Sequence, residues 1–545
     1  GNPVGGNEEN AWTITIHSSD AESSAANLNT INAATSAQVD ASEVTTISSS
    51  SISDIGTLLT SAVATTPREF TTGSFDNLAA LSVSDDTIDV TDLNTAITNA
   101  NSVVAGGTVP VFTLSDTDAL INGGSEAEFV SLTNVSGSEA SDNINLGAGG
   151  TTYALTIDDG TIGTIANANA FTAATSGTVT GTIANTTRVS DLTTLTNNQT
   201  NAAYSITINA LDNGTVTAAN LNRINTATTG SVSLTNVTTI GASDLADLTT
   251  LHAGRTGLSG TNNLATVNLT DNGGAGGSVD YTTLSTIVTN YRANINGSTA
   301  FAFQDADTIT VDNGEVADYL TDIGNGALAL TDQKVTVSGT TVSVDNAKTI
   351  AADTTGVVTA SIASGSRVSK LTELRTPNGV DAEENAWTIT IHNDDATAAT
   401  AAQLNTINAA TSEAITSDEI TALAASDLSD LTTLNTNAAG FSDLTNLAAI
   451  TLTDNGGGVG SVDYGTLGGI VDSYQGRNAG VAFSFQSEDT IEVGNGEVAD
   501  YLTDIGSGAL ALTDQNVTVS GTTLSVADAK TIAADTTGVV TASIA

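Results

Sequence analysis

Five short turns carry the residue types in this chain that could do chemistry. They read IDDGT at Asp158 and Asp159, LDNGT at Asp212 and Asn213, LTDNGG at Asp271 and Asn272 and again at Asp454 and Asn455, and VDNGE at Asp312 and Asn313. Each follows a strand-like run and precedes a helix signal. Carboxylate and amide oxygens gathered at one edge are what Ca2+ takes as ligands, six to eight at a time. None of the turns matches an EF-hand loop, so these residues are candidate calcium ligands through several turns acting together. Asp and Asn beside Gly also serve a plainer need, since they tolerate left-handed backbone and bond nearby amides, as turns and helix caps require. Both readings stay open at this point.

Other candidates are thinner. His17 and His392 end the two copies of TITIH, ahead of Asp20 and of Asp394 and Asp395, while His252 stands alone. A shared metal or catalytic role for the pair competes with a histidine that simply ends a strand. Trp12 and Trp387 begin the same two strands and read as packing anchors, with glycan stacking as the rival. Ser and Thr are plentiful, yet a hydroxyl nucleophile needs a base and an orienting group. No Walker loop, zinc spacing or GxSxG motif occurs. Sixty acidic residues do not single out a carboxylate pair at glycosidase spacing, and Lys, Arg and His, which a polysaccharide lyase needs, are scarce. Thr-x-Thr runs suggest an ice-binding face but recur too irregularly. The expectation is a protein that is not an enzyme, with a polysaccharide-active enzyme as a minor alternative.

The elements that would position these residues follow from composition and repetition. The 545 residues hold 12 Lys and Arg against 60 Asp and Glu, a formal charge of −48. That field repels phosphate backbones and anionic lipid and favours divalent cations. With 39% hydrophobic and 13% charged residues the chain is too apolar for an acidic disordered tail, and with 4% aromatics its core must be thin layers of small and β-branched side chains. Cysteine is absent, so no disulfide staples it. Methionine is absent too, which reads as a processed or partial chain; any export signal would lie outside these residues. No run approaches a membrane span.

Two long phrases recur. ENAWTITIH starts at Glu9 and again at Glu384, and NGEVADYLTDIG starts at Asn313 and again at Asn495. LTDNGG recurs at Leu269 and Leu452. Residues 1–375 therefore form a first repeat block and 376–545 a second, shortened one. A globular core would not survive such an excision, whereas a stack of coils would. Strand-like runs include TITIH from Thr13, EVTTI from Glu43, VPVFTL from Val109, YSITI from Tyr204, AFAFQ from Ala300, and VVTASI from Val357 and Val539. They recur at a spacing of roughly 29 residues, within the range of solenoid repeats. Between them lie helix signals: Val316, Tyr319, Leu320 and Ile323 make one apolar stripe, with Asn313 placed to cap it and Gly324 to close it. The predicted fold is an α/β solenoid of about 18–19 coils, a parallel β-sheet stack with short helices on another face. It would resemble a leucine-rich repeat without that family's Asn ladder. A mostly-β parallel β-helix is the alternative.

VTVSGTTVSVDNAKTIAADTTGVVTASIA, together with LNTINAATS and DLTTL, resembles the degenerate repeats of very large secreted and cell-surface proteins of marine bacteria, notably cyanobacteria, including S-layer and adhesin types. The likeness runs through essentially the whole chain, but the calcium-binding GGxGxD nonapeptide is missing. What the resemblance implies is an extracellular structural or adhesive protein, often calcium-dependent. The expectation is a secreted, acidic subunit of a surface filament, sheath or S-layer that self-associates through solenoid ends or edges, with Ca2+ as its stabiliser. The alternative is the stalk of a giant single-chain adhesin. Cell-surface polysaccharide is a further expected partner; nucleic acid is not.

Overall fold

The computed structural model describes residues 10–66, 69–104, 110–114, 120–135, 153–196, 200–270, 277–304, 307–374, 385–453, 460–486 and 489–545. Two compact units are present, Gly1–Asn268 with Asn290–Thr299, and Leu269–Thr289 with Ala300–Ala545.

The first unit contains a four-stranded sheet in the order Glu22–Ser24, Thr46–Ser50, Ala80–Val83, Val111–Leu114. It also contains a seven-stranded sheet in the order Leu258–Ser259, Val232–Ser233, Ala202–Thr207, Val179–Thr182, Ala154–Thr156, Leu120–Asn122, Thr87–Asp89. The second unit repeats the plan. Ala422–Ser426, Ala449–Leu452, Ala482–Phe485 and Leu510–Ala511 make one sheet, and Ser461–Asp463, Thr490–Val493, Asn516–Leu524 and Val540–Ile544 another. Neighbouring strands are parallel, and the chain between register partners is shorter at Val179↔Ala202 than at Ile47↔Leu81. The class is α/β with several parallel sheets.

The expected single stack of strands is not what forms. The chain makes two short strands between many successive helices and sends them to different sheets. Ala482–Phe485 and Thr490–Val493, both ahead of the helix Val498–Ser507, show this division. The second strand of such a pair is only three or four residues long, as at Ser461–Asp463 and Thr490–Val493, too short to stand out by β propensity. Helices also pack on helices: Ala25–Ala33 lies against Ile52–Val63, which lies against Val90–Val103.

Inward-facing strand residues such as Leu81, Leu155, Ile309 and Ile491 are fully buried. Larger side chains are used sparingly and twice over. The Tyr281 and Tyr319 rings meet edge to face at 5.3 Å, and Tyr464 and Tyr501 repeat the contact at 5.1 Å.

Successive segments are also tied by polar side chains at recurring places. Six buried threonines each follow a helix or turn and donate to a carbonyl of an earlier strand or loop: Thr35 to Trp12, Thr175 to Tyr153, Thr228 to Tyr204, Thr354 to Gln333, Thr411 to Trp387 and Thr536 to Gln515. Each also accepts an amide from two positions further on, for example Gly230 N–H on Thr228 and Gly356 N–H on Thr354. At Thr35, Thr228 and Thr411 the hydroxyl accepts a further bond, from the N–H of Trp12, Tyr204 and Trp387, which fills its one donor and two acceptor sites. The loop must run close to the strand for this. A Cβ on Gly230 would stand 2.2 Å from the Tyr204 carbonyl oxygen, and one on Gly538 2.3 Å from that of Gln515.

Three buried serines make a second set. Ser50, Ser243 and Ser426 accept the first helical N–H of Ala25, Ala218 and Ala401 at 2.8–2.9 Å, with the same sequence separation each time. The helices so held are Ala25–Ala33, Ala218–Thr226 and Ala401–Asn408, three copies where the long phrases reveal two. Within them Asn29, Asn222 and Asn405 donate to the carbonyls of Asp54, Asp247 and Asp430 at 2.9 Å. Asparagine thus bridges successive segments from helices.

Thr411→Val keeps shape but leaves the buried Trp387 carbonyl without its partner. It should lower stability by roughly 1–3 kcal/mol, as should Ser426→Ala, read as a lowered urea midpoint.

Candidate functional site

The acidic turns come out differently from one another. Asp158 and Asp159 are exposed; the Asp158 carboxylate accepts the Gly123 N–H at 3.1 Å, and Asp159 bridges Ser125 through its backbone. Asp212 is buried. One oxygen takes Arg188 at 2.6 Å, and the other takes the N–H of Val189, the first residue of the helix Val189–Leu192, at 3.0 Å. Asn213 beside it donates to Thr238 and accepts the amides of Thr238 and Thr239. Every side-chain oxygen of that turn is already engaged, so it does not fit a calcium ion as it stands. Asp312 is exposed and accepts from Ser338. Asn313 does not cap the helix Val316–Gly324: Glu315 occupies that position and folds its carboxylate back onto the Asp312 N–H at 2.8 Å. Asp271, Asn272, Asp454 and Asn455 lie outside the described residues. Among the described residues no group of three or more acidic or His side chains is placed to hold a metal ion.

The buried aspartate is a recurring device. Asp395 accepts the Val368 N–H at 2.9 Å and lies 3.5 Å from Arg367, repeating Asp212 with Val189 and Arg188. Asp85 does the same for Ile52 N–H at 2.5 Å, with no arginine beside it among the described residues. A carboxylate from one segment thus caps the positive end of a helix in the segment before it. The aspartates themselves carry no local motif, because the carboxylate and its target are far apart along the chain and their separation differs from Asp212 to Asp85.

The paired histidines have a local task. His17 Nδ1 accepts the Ser19 N–H and His392 Nδ1 the Asp394 N–H, both at 3.1 Å, capping short 3-10 turns. In the middle copy Asn209 stands in the same place and caps Leu211 N–H at 2.9 Å. A position that accepts either His or Asn asks only for a hydrogen-bond acceptor. His252 packs on Tyr291, and burial with the nearby Arg255 holds its imidazole below the usual pKa. Trp387 is buried as expected of an anchor, while Trp12 is 57% exposed.

Buried acids and phenols complete the inventory. Tyr281 donates to Asp322 and Tyr464 to Asp504, each at 2.7 Å. Burial pushes up the pKa of Asp504. Asp353 and Asp535 end equivalent helices, each with one buried carboxylate oxygen that makes no hydrogen bond, and burial raises both. A cleft of about 300 Å³ lies beside Phe75, Asp76 and Ser102; among the described residues Asp76 is its one acidic lining residue, with neither His nor Lys beside it.

No protein-family model matches the chain, and no curated protein matches it. No helix among the described residues is long and apolar enough to cross a membrane.

His392→Asn should leave stability unchanged and His392→Ala should cost about 1 kcal/mol, checked by urea unfolding and by exchange of the Asp394 amide. For Asp353 and Asp535 the folded pKa lies above the unfolded one, so ionisation opposes folding and their contribution improves as pH falls. Asp353→Asn and Asp535→Asn should therefore raise the melting temperature at pH 7. The gain over the parent should vanish as pH falls through the raised pKa towards 3.8.

Proposed function

We propose that this chain is a non-catalytic structural repeat protein of the cell exterior, a solenoid whose copies associate into a surface filament, sheath or S-layer. The observation that carries this reading is where the polar residues are spent. Threonine and serine hydroxyls and asparagine amides recur at the same places and bond the neighbouring segment's backbone, as in Thr228, Ser243 and Asn222. The residues best suited to chemistry serve the same end: His17 and His392 cap turns, and Asp212 and Asp395 cap helices. In a solenoid every coil meets only its neighbours, so polar side chains at each step take over what a single large core does elsewhere. The aspartates left exposed, Asp158, Asp159 and Asp312 among them, contribute to a charge of −48 that divalent cations would relieve. Ca2+ acts in this reading as a counterion spread over acidic turns, and binding to cell-surface polysaccharide would use the same cations as bridges.

Negative-stain electron microscopy of the purified chain, with millimolar calcium and after chelation, tests the proposal. Ordered fibres or sheets in calcium that disperse on chelation are expected. Separate molecules in both conditions at high concentration would overturn it and favour a single-chain adhesin stalk.

A further inference from the structure

Asparagine followed by glycine is a reactive pair, because the glycine nitrogen can reach the asparagine side-chain carbonyl with no Cβ in its way. Six such pairs stand among the described residues, starting at Asn122, Asn213, Asn296, Asn313, Asn325 and Asn495. Four of them are pinned by hydrogen bonds. Gly123 N–H is held by the Asp158 carboxylate at 3.1 Å. Asn213 accepts two amides and donates to Thr238, and Gly214 N–H is bound to the Thr239 carbonyl at 2.9 Å. Asn296 donates to the carbonyls of Asn262 and Leu264 and accepts the Ser298 N–H. Asn325 accepts the Ala327 N–H at 2.9 Å, and Gly326 N–H bonds the Ile323 carbonyl at 3.2 Å.

Asn313 and Asn495 differ from these, and they occupy the same place in the two copies of NGEVADYLTDIG and NGEVADYLTDIGS. Both are exposed, and neither their side chains nor the N–H groups of Gly314 and Gly496 make a hydrogen bond among the described residues. Each pair lies between a strand and a helix, Thr308–Val311 and Val316–Gly324 in one copy, Thr490–Val493 and Val498–Ser507 in the other. The turn is fastened around the pair and not through it: Glu315 takes the Asp312 N–H and Glu497 the Gly494 N–H. Gly314 and Gly496 have φ of 96° and 94°, with open space where a Cβ would stand.

We propose that Asn313 and Asn495 are sites of spontaneous deamidation. The Gly314 nitrogen, having lost its proton to base, attacks Cγ of Asn313. A C–N bond forms, the Cγ–Nδ2 bond breaks, and ammonia leaves with a proton from water, closing a succinimide ring. Water then opens the ring at either carbonyl. One product is aspartate; the other is isoaspartate, with the main chain rerouted through Cγ. Water and base are the only co-reactants. Gly496 and Asn495 react in the same way. Each event adds a carboxylate to a turn that already holds Glu315 or Glu497, and isoaspartate also lengthens the main chain where it is closely packed. A Cβ on Gly339 would stand 3.4 Å from the Asn313 Cβ, and one on Gly521 3.3 Å from that of Asn495. This chemistry is independent of the assembly proposed above.

The test is peptide mapping by mass spectrometry of the whole folded chain during storage in mildly alkaline buffer, with enzymatic methylation to count isoaspartate. Conversion at Asn313 and Asn495 should run at least about tenfold faster than at the four pinned pairs, whose hydrogen bonds must open first. Unfolded in urea, all six pairs should convert at similar rates, since the local chemistry is then the same. Asn313→Gln should silence its own site and leave Asn495 converting as before, because the longer side chain must close a larger ring. Equal rates at all six pairs in the folded chain would overturn the assignment. So would a ranking that persists unchanged in urea, or conversion of Asn313 and Asn495 in urea alone.

Discussion

A parallel strand has its next neighbour a full helix away in sequence, so each step from segment to segment must satisfy loop amides and carbonyls that no ladder reaches. In this protein a single hydroxyl meets much of that requirement at each of six places. Thr228 joins the Tyr204 carbonyl, the Tyr204 amide and the Gly230 amide at one buried oxygen. The rest follows from it. Gly230 must lack a side chain because the loop lies against the Tyr204 backbone, and the helix that precedes Thr228 must stop where it does for the threonine to reach. A core of Ala, Val, Leu and Ile can then be thin, because cohesion from one segment to the next does not depend on apolar area alone.

Much of this was legible in the sequence. Strand runs such as AFAFQ and VVTASI are strands at Ala300–Phe303 and Val358–Ile362, because β-branched and aromatic residues bounded by turn formers carry that signal locally. Of the apolar stripe Val316, Tyr319, Leu320 and Ile323, Tyr319 and Ile323 are buried and Val316 and Leu320 half-buried on one helix. What escaped were relations between residues far apart. The middle copy was hidden because Tyr204 and Asn209 replace the Trp and His that mark the other two, although the Tyr204 backbone and the Asn209 side chain do the same work. The division of strands among sheets was hidden too, since strands as short as Ser278–Asp280 carry almost no pattern.

The candidate site fared less well for a related reason. Asp beside Gly in a turn has the same letters whether its carboxylate faces a cation or a helix N-terminus. Asp212 proved to cap Val189 and pair with Arg188, and only the packing of a distant segment decides that. The signal that was available lay in the arginines. With 12 Lys and Arg in the chain, an Arg at the head of both RVSDL and RVSKL points to a fixed acidic partner, which each has.

The tyrosines have a consequence for durability in light and air. All eight are buried, and burial pushes every phenol well above its ordinary pKa, so the easily oxidised phenolate is suppressed. Thiol and thioether, the side chains that oxidants attack first, are absent from the chain. Of the two indoles, Trp387 is sealed in the core and Trp12 alone meets solvent. Among the indoles and phenols of this molecule, Trp12 is thereby the ring that photo-oxidative wear reaches first.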